Sequence, residues 1–302
     1  MKRKFALFTL SVLLLLTVPV FAADTPQPSQ TAGAAHPELV VSTQWLADHL
    51  SDPNLVIVHI AHHESDYRAG HIPGARYLAM DKFATGDDAP GTELLPPEEL
   101  KKNLEAIGIG DDSRVVYYAP DWDPMATRLL FSMDYLGHGN QAALLDGGLD
   151  QWIREKRPTS TENSTTKPGS LTIHVHPEII AKMDYMKTLV DHPEKGVVIV
   201  DARPSKRYRS GHLRGAESLY WQNALVSEKE PLLKSPEQLR QLFVAAKVNS
   251  NDKVVSYCEI GLQASYVYML ARYLGYDAAM YDGSYSEWSK AKQPVIHGDS
   301  PQ

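Results

Sequence analysis

The sequence predicts an α/β protein made of two tandem copies of one domain, each a mainly parallel sheet flanked by helices. Three observations predict it. The chain has 302 residues, about twice the length of a usual single domain. A motif near residue 70 recurs near residue 211, and in each copy short β-branched runs alternate with helical patterns. Hydrophobic residues make up 43% and charged residues 22% of the chain, which excludes collagen-like, coiled-coil or wholly disordered architectures. The formal charge of −7 leaves no basic surplus for nucleic acid.

Taken in order, the first element is an address. Lys2, Arg3 and Lys4 precede an apolar run from Phe5 to Phe21, closed by Ala22 and Ala23, the charged head, apolar middle and small-residue exit of a secretory signal peptide over residues 1–22. The rival reading is an uncleaved anchor, since the run is just long enough to span if Pro19 were tolerated. The small-residue exit favours removal, which predicts no stable membrane insertion afterwards and export, with the bacterial periplasm as the expected compartment. Residues 23–38, rich in Pro, Gln, Thr and Ala, read as a flexible lead-in.

The repeat then sets the domains. Laying Val56–Leu78 over Val197–Leu219 at a shift of 141 residues gives nine identities in twenty-three positions, among them Tyr67/Tyr208, Gly70/Gly211, His71/His212 and Gly74/Gly215. Tyr135-Leu136-Gly137 answers Tyr273-Leu274-Gly275, and Asp146-Gly147 with Trp152 answers Asp282-Gly283 with Trp288. The domains are therefore placed at 39–158 and 171–302, with a polar linker at 159–170. Val197–Val200 and Lys253–Tyr257 are apolar enough for buried parallel strands. Pro236 followed by Leu239, Leu242, Phe243 and Ala246 has helical spacing with proline at its start, and Ala264–Leu274 reads as a second helix stopped by Gly275.

In such sheets the chemistry lies at the carboxyl ends of strands, and the chain's one cysteine, Cys258, directly follows Val254–Tyr257. One cysteine excludes an intramolecular disulfide and any multi-cysteine metal site. The loop Glu259-Ile260-Gly261-Leu262-Gln263 joins it to a helix, so backbone N–H groups and the helix dipole can converge on the thiol. That setting predicts a lowered thiol pKa and a nucleophile rather than a packing residue.

On these residues the chain resembles the tandem rhodanese-type sulfurtransferases, the thiosulfate and 3-mercaptopyruvate sulfurtransferase family. The resemblance is carried by Asp201-Ala202-Arg203, Arg207-Tyr208, Gly211-His212-Leu213-Arg214-Gly215-Ala216, the loop Cys258–Gln263, and Asp282-Gly283 with Trp288. It implies an enzyme whose Cys258 takes a sulfane sulfur as a persulfide and passes it to cyanide or a thiol, with no resolving cysteine and no cofactor. It implies further that the amides of Glu259, Ile260, Gly261, Leu262 and Gln263 hold the anionic sulfur, that Arg207 binds a small anionic donor, and that Arg203 either shares that task or pairs with Asp201. The first copy, with Ala119 or Pro120 opposite Cys258 and Ile60-Ala61-His62 opposite Asp201-Ala202-Arg203, is expected to be inactive.

Thiosulfate is the first donor named by the resemblance and 3-mercaptopyruvate the alternative, because the loop carries Glu259 and no Arg or Lys. A sulfur-carrier or protein-binding module without turnover is a further alternative. A cysteine phosphatase loop would need an arginine six positions after the cysteine, where Ala264 stands. His71 and His212, repeated at one place, are expected to stabilise the fold; His59, His62 and His63 lack a metal-ligand pattern, and no metal is predicted. Trp152 and Trp288 are expected in the core, and Asp146-Gly147-Gly148 and Asp282-Gly283 as turns before helices.

Overall fold

The structure, a computed structural model, describes residues 33–85, 93–120, 123–227 and 229–301. The signal segment and most of the lead-in lie outside the described residues. No described helix is long and apolar enough to cross a membrane.

The first copy contains β1 (Val40–Val41), α1 (Thr43–His49), β2 (Leu55–Ala61), α2 (Glu64–Ala69), β3 (Arg76–Ala79), α3 (Pro97–Ala106), β4 (Arg114–Tyr118), α4 (Met125–Tyr135), β5 (Ala142–Leu145) and α5 (Gly148–Arg154). The second repeats it with β6 (Ile180–Ala181), α6 (Met183–Asp191), β7 (Val197–Asp201), α7 (Ser205–Ser210), β8 (Glu217–Ser218), α8 (Pro236–Ala245), β9 (Lys253–Tyr257), α9 (Leu262–Leu274), β10 (Asp277–Tyr281) and α10 (Ser284–Lys290). The two five-stranded sheets have matching orders, β1-β5-β4-β2-β3 and β6-β10-β9-β7-β8. Every pairing among these ten strands is parallel, the arrangement in which crossover helices cover both faces of a sheet.

Strand alternation divides each sheet's side chains between two cores. Val56, Val58 and Ile60 face one way and Ile57 the other; Val254 faces one way and Val255 and Tyr257 the other. The inner faces of both sheets feed a single core that runs through both domains. Two outer cores, around Trp152 and Trp288, belong to one domain each. Both indoles are buried and donate to a proline carbonyl, Trp152 to Pro158 at 2.7 Å and Trp288 to Pro294 at 3.0 Å. The helix at Pro236 forms as its spacing predicts, and Ser235 adds a reciprocal capping box with Gln238.

The domains meet along α4 and α9, which lie side by side in the same direction. Thr127 and Ser265 hydroxyls bond at 2.8 Å near their N-termini, Phe131 meets Tyr268 edge-on at 5.0 Å, and the Tyr268 hydroxyl donates to Asp134 at 2.6 Å. Around this seam the two aspartate turns clasp the opposite domain. Asp146 accepts from the Leu233 amide at 2.8 Å, and Asp282 accepts from the Leu94 amide at 2.9 Å. The segment between the domains is not free chain: Ser160 pairs in both directions with His71, and Gly169 donates to the Glu105 carbonyl.

Strand register corrects one equivalence drawn at the uniform shift of 141. His59 faces Tyr118 across β2 and β4 as Asp201 faces Tyr257 across β7 and β9. Within the strand the copies are thus 142 apart, while α2 and α7 remain 141 apart. The first copy carries one extra residue after the strand, so His59, rather than Ile60, stands where Asp201 does.

Candidate active site

Cys258 directly follows β9, the central strand of the second sheet, as its sequence position predicts. The helix after it begins at Leu262, two residues earlier than its hydrophobic pattern shows, because Gly261 caps it at φ +96°. That left-handed conformation suits glycine and curls the loop back on the sulfur. The Gly261 amide donates to Cys258 Sγ at 3.1 Å, and the amides of Ile260 and Ala264 also favour the thiolate. Ala264 lies outside the five residues singled out from sequence; the Ser256 hydroxyl, donating to its carbonyl at 3.0 Å, fixes this first helical turn.

The thiol itself departs from expectation. Cys258 is 1% exposed, and burial pushes its pKa above the ordinary value despite the three amides, with the charge of Asp201 adding to the rise. The loop alone predicts a lowered pKa. Desolvation wins because an apolar core closes over the sulfur and the loop itself carries no cation.

The turn into α10 holds the loop from the other side. The Cys258 amide donates to Ser284 Oγ at 3.2 Å, and the carbonyls of Cys258 and Glu259 accept from Tyr285 and Ser286 at 2.9 and 3.0 Å. Ser284 is buried at φ +52°, an uncommon conformation for a side chain other than glycine; the first copy has Gly148 there, at φ +55°.

Arg203 is a framework residue of this site. It is 2% exposed, its Nε and Nη2 bind Asp201 at 3.0 and 2.7 Å, and Nη2 also reaches the Gly211 carbonyl at 2.7 Å. Its Nη1 holds the Glu259 carboxylate at 3.2 Å, and its guanidinium carbon lies 4.0 Å from the centroid of the Tyr285 ring. Burial works against its charge, but Asp201, with Tyr257 and Glu259, more than offsets that and holds its pKa above the ordinary value. Asp201 is completed by the Tyr257 hydroxyl at 2.6 Å. Of the two arginine roles implied by the resemblance, this geometry is the pairing one.

Arg207, on α7, is exposed, and among the described residues its guanidinium has no hydrogen-bond partner. Glu259, Ile260, Leu262 and Gln263 are half-buried along the loop. A groove of about 400 Å³ lies elsewhere, at the edge of the first domain beside Asn54, Arg76, Asp111 and Ser113.

In the first copy Ala119 occupies the place of Cys258, since Tyr118 aligns with Tyr257 by register. His71 and His212 are fold residues in both copies. Each ring stacks on a tyrosine at 3.8 Å, and each places both nitrogens at backbone carbonyls. Among the described residues no cluster of His, Cys, Asp and Glu could hold a metal.

The rhodanese-like domain family matches this chain twice, over residues 42–155 and 184–291. The sulfur carrier protein TtuD of Thermus thermophilus is 30% identical over 288 residues, covering 88% of this chain and 99% of that one. The putative thiosulfate sulfurtransferase SseA of Mycobacterium leprae is 30% identical and covers 91% of this chain and 96% of its own. Among solved structures, the 3-mercaptopyruvate sulfotransferase SseA of Escherichia coli superimposes with a TM-score of 0.70 at 22% identity, covering 82% of this chain and 98% of that one.

Proposed function

Because the chain belongs to the rhodanese-like domain family in both halves and is on that account a sulfurtransferase, we propose that it moves a sulfane sulfur from thiosulfate to cyanide or a thiol through a persulfide on Cys258. One observation carries the reading: the chain's one thiol sits at the end of the central strand with the Gly261 amide directed at its sulfur.

In the first half-reaction Cys258 loses its proton to solvent and the thiolate attacks the outer sulfur of the donor. A bond forms from Sγ to that sulfur, and the donor's sulfur–sulfur bond breaks with its electron pair leaving on sulfite. In the second, the acceptor attacks the outer persulfide sulfur and the Cys258 thiolate leaves. The amides of Ile260, Gly261 and Ala264 stabilise sulfur anions in both steps without reorganising, opposing part of the burial that still leaves the resting thiol's pKa raised. Arg207 supplies a free guanidinium for an anionic donor. Glu259 is no strong deterrent to such a donor, because Arg203 meets its charge.

The test is mass spectrometry of the protein after treatment with thiosulfate or 3-mercaptopyruvate. A gain of one sulfur on Cys258, absent in Cys258→Ser together with all turnover, is expected; undiminished turnover in Cys258→Ser would refute the mechanism. Higher kcat/KM with 3-mercaptopyruvate would reassign the donor. The TtuD relative favours a second reading, a carrier: a persulfide that forms but is not released to cyanide or small thiols would establish it. The signal-like leader supports export to the periplasm, which fractionation of the expressed full chain tests.

A further inference from the structure

The first domain lacks the thiol, yet one of its side chains reaches the turn that holds it. Arg128, on α4, is 0% exposed, and its Nη1 lies 2.6 Å from Asp282 Oδ1 of the second domain. The other carboxylate oxygen takes the Leu94 amide, again from the first domain. Asp282 opens the turn whose next residues secure the cysteine loop: Ser284 Oγ takes the Cys258 amide and gives its own hydrogen to the Tyr281 carbonyl at 2.9 Å, while Tyr285 and Ser286 take the next two carbonyls.

The internal repeat acts as a control. Matching Tyr135-Leu136-Gly137 to Tyr273-Leu274-Gly275 puts Tyr266 where Arg128 stands. The first copy's turn keeps its aspartate and its amide contact, Asp146 with Leu233. It has neither the arginine nor the hydroxyl: Tyr266 and Gly148 replace Arg128 and Ser284, and Ala119 replaces Cys258. The added groups, including a serine held in a conformation that glycine adopts more readily, occur together only around the thiol.

We propose that Arg128 is a positioning residue for Cys258, acting through Asp282 and Ser284 to fix the cysteine loop from the neighbouring domain. This rests on Cys258 being the sulfur-bearing nucleophile, which the Cys258→Ser variant tests separately. Arg128→Met alone strands a buried carboxylate and is destabilising, so the informative protein is Arg128→Met/Asp282→Asn, which removes both charges and keeps an acceptor for Leu94.

With a saturating donor, its kcat falls about tenfold or more, KM stays within about twofold, and the melting temperature returns close to that of the parent. Ser284→Gly relieves the backbone while deleting the hydroxyl; its melting temperature is unchanged or higher and its kcat falls likewise. Parental kcat in either variant would overturn the proposal. So would a raised KM with unchanged kcat in the double variant, which would make Arg128 a donor contact instead.

Discussion

Replacing Arg203 with methionine removes the cation from a buried ion pair while keeping much of the side chain's volume. Asp201, at 0% exposure, would lose the three contacts from Nε and Nη2 and keep only the Tyr257 hydroxyl and the backbone amide of residue 203. Stranding one partner of such a pair costs about 3–5 kcal/mol. The two surviving hydrogen bonds put Arg203→Met near the lower end, about 3 kcal/mol, or a melting temperature lower by about 6–12 °C. Calorimetry at neutral pH measures it. Adding Asp201→Asn removes the stranded charge and recovers most of the loss. The thiol gives a second readout: Asp201 already pushes the Cys258 pKa up, and without Arg203 that push is uncompensated, so alkylation at a fixed pH slows. A single variant within about 2 °C of the parent, with unchanged alkylation, would refute the assigned coupling of Arg203 to the loop.

Two buried groups set opposing pH dependences. Burial, helped by His71, lowers the His59 pKa from 6.5 to about 4. Its contribution is therefore present above pH 6.5 and lost as pH falls towards its folded value, by at most about 1.4 kcal/mol per pH unit. Burial raises Asp146 from 3.8 to about 7, against the pull of the Leu233 and Gly147 amides, so its contribution is present at acid pH and lost as pH rises through the folded value. The parent's profile should be nearly flat between these limits. Melting curves across that range should show His59→Asn losing stability as pH rises and Asp146→Asn losing it as pH falls; parental profiles in both would show that neither group titrates as described.

Much of this arrangement is legible in the sequence because it follows from periodic burial. The runs Val197–Val200 and Lys253–Tyr257 and the spacing after Pro236 specify strands and a helix, and the position of Cys258 after a strand locates the candidate site. Other features have no local signature. Val40–Val41, Ile180–Ala181 and Glu217–Ser218 are strands too short to show alternation. The extra residue after β2 is hidden because Val56/Val197 and Ala61/Ala202 match by identity, although Val56 stands structurally with Val198; following which residues face inwards would have revealed it. The direction of the thiol pKa depends on how completely the core closes over the sulfur, and the roles of Arg128 and Asp282 depend on a neighbour more than 150 positions away.

The α9 helix is buried at nearly every position from Ala264 to Leu274, apolar on the side of its own sheet and on the side of α4 alike. A helix of that composition needs cover all round. Once the duplicated halves shared a core, the two kinds of loss open to the first copy became unequal. With Ala119 in place of a cysteine it still builds its half of the fold, but deleting the copy itself would strip one wall from α9, the helix that follows the Cys258 loop. A half of the chain without a thiol is thereby retained by packing, and the duplication is hard to reverse.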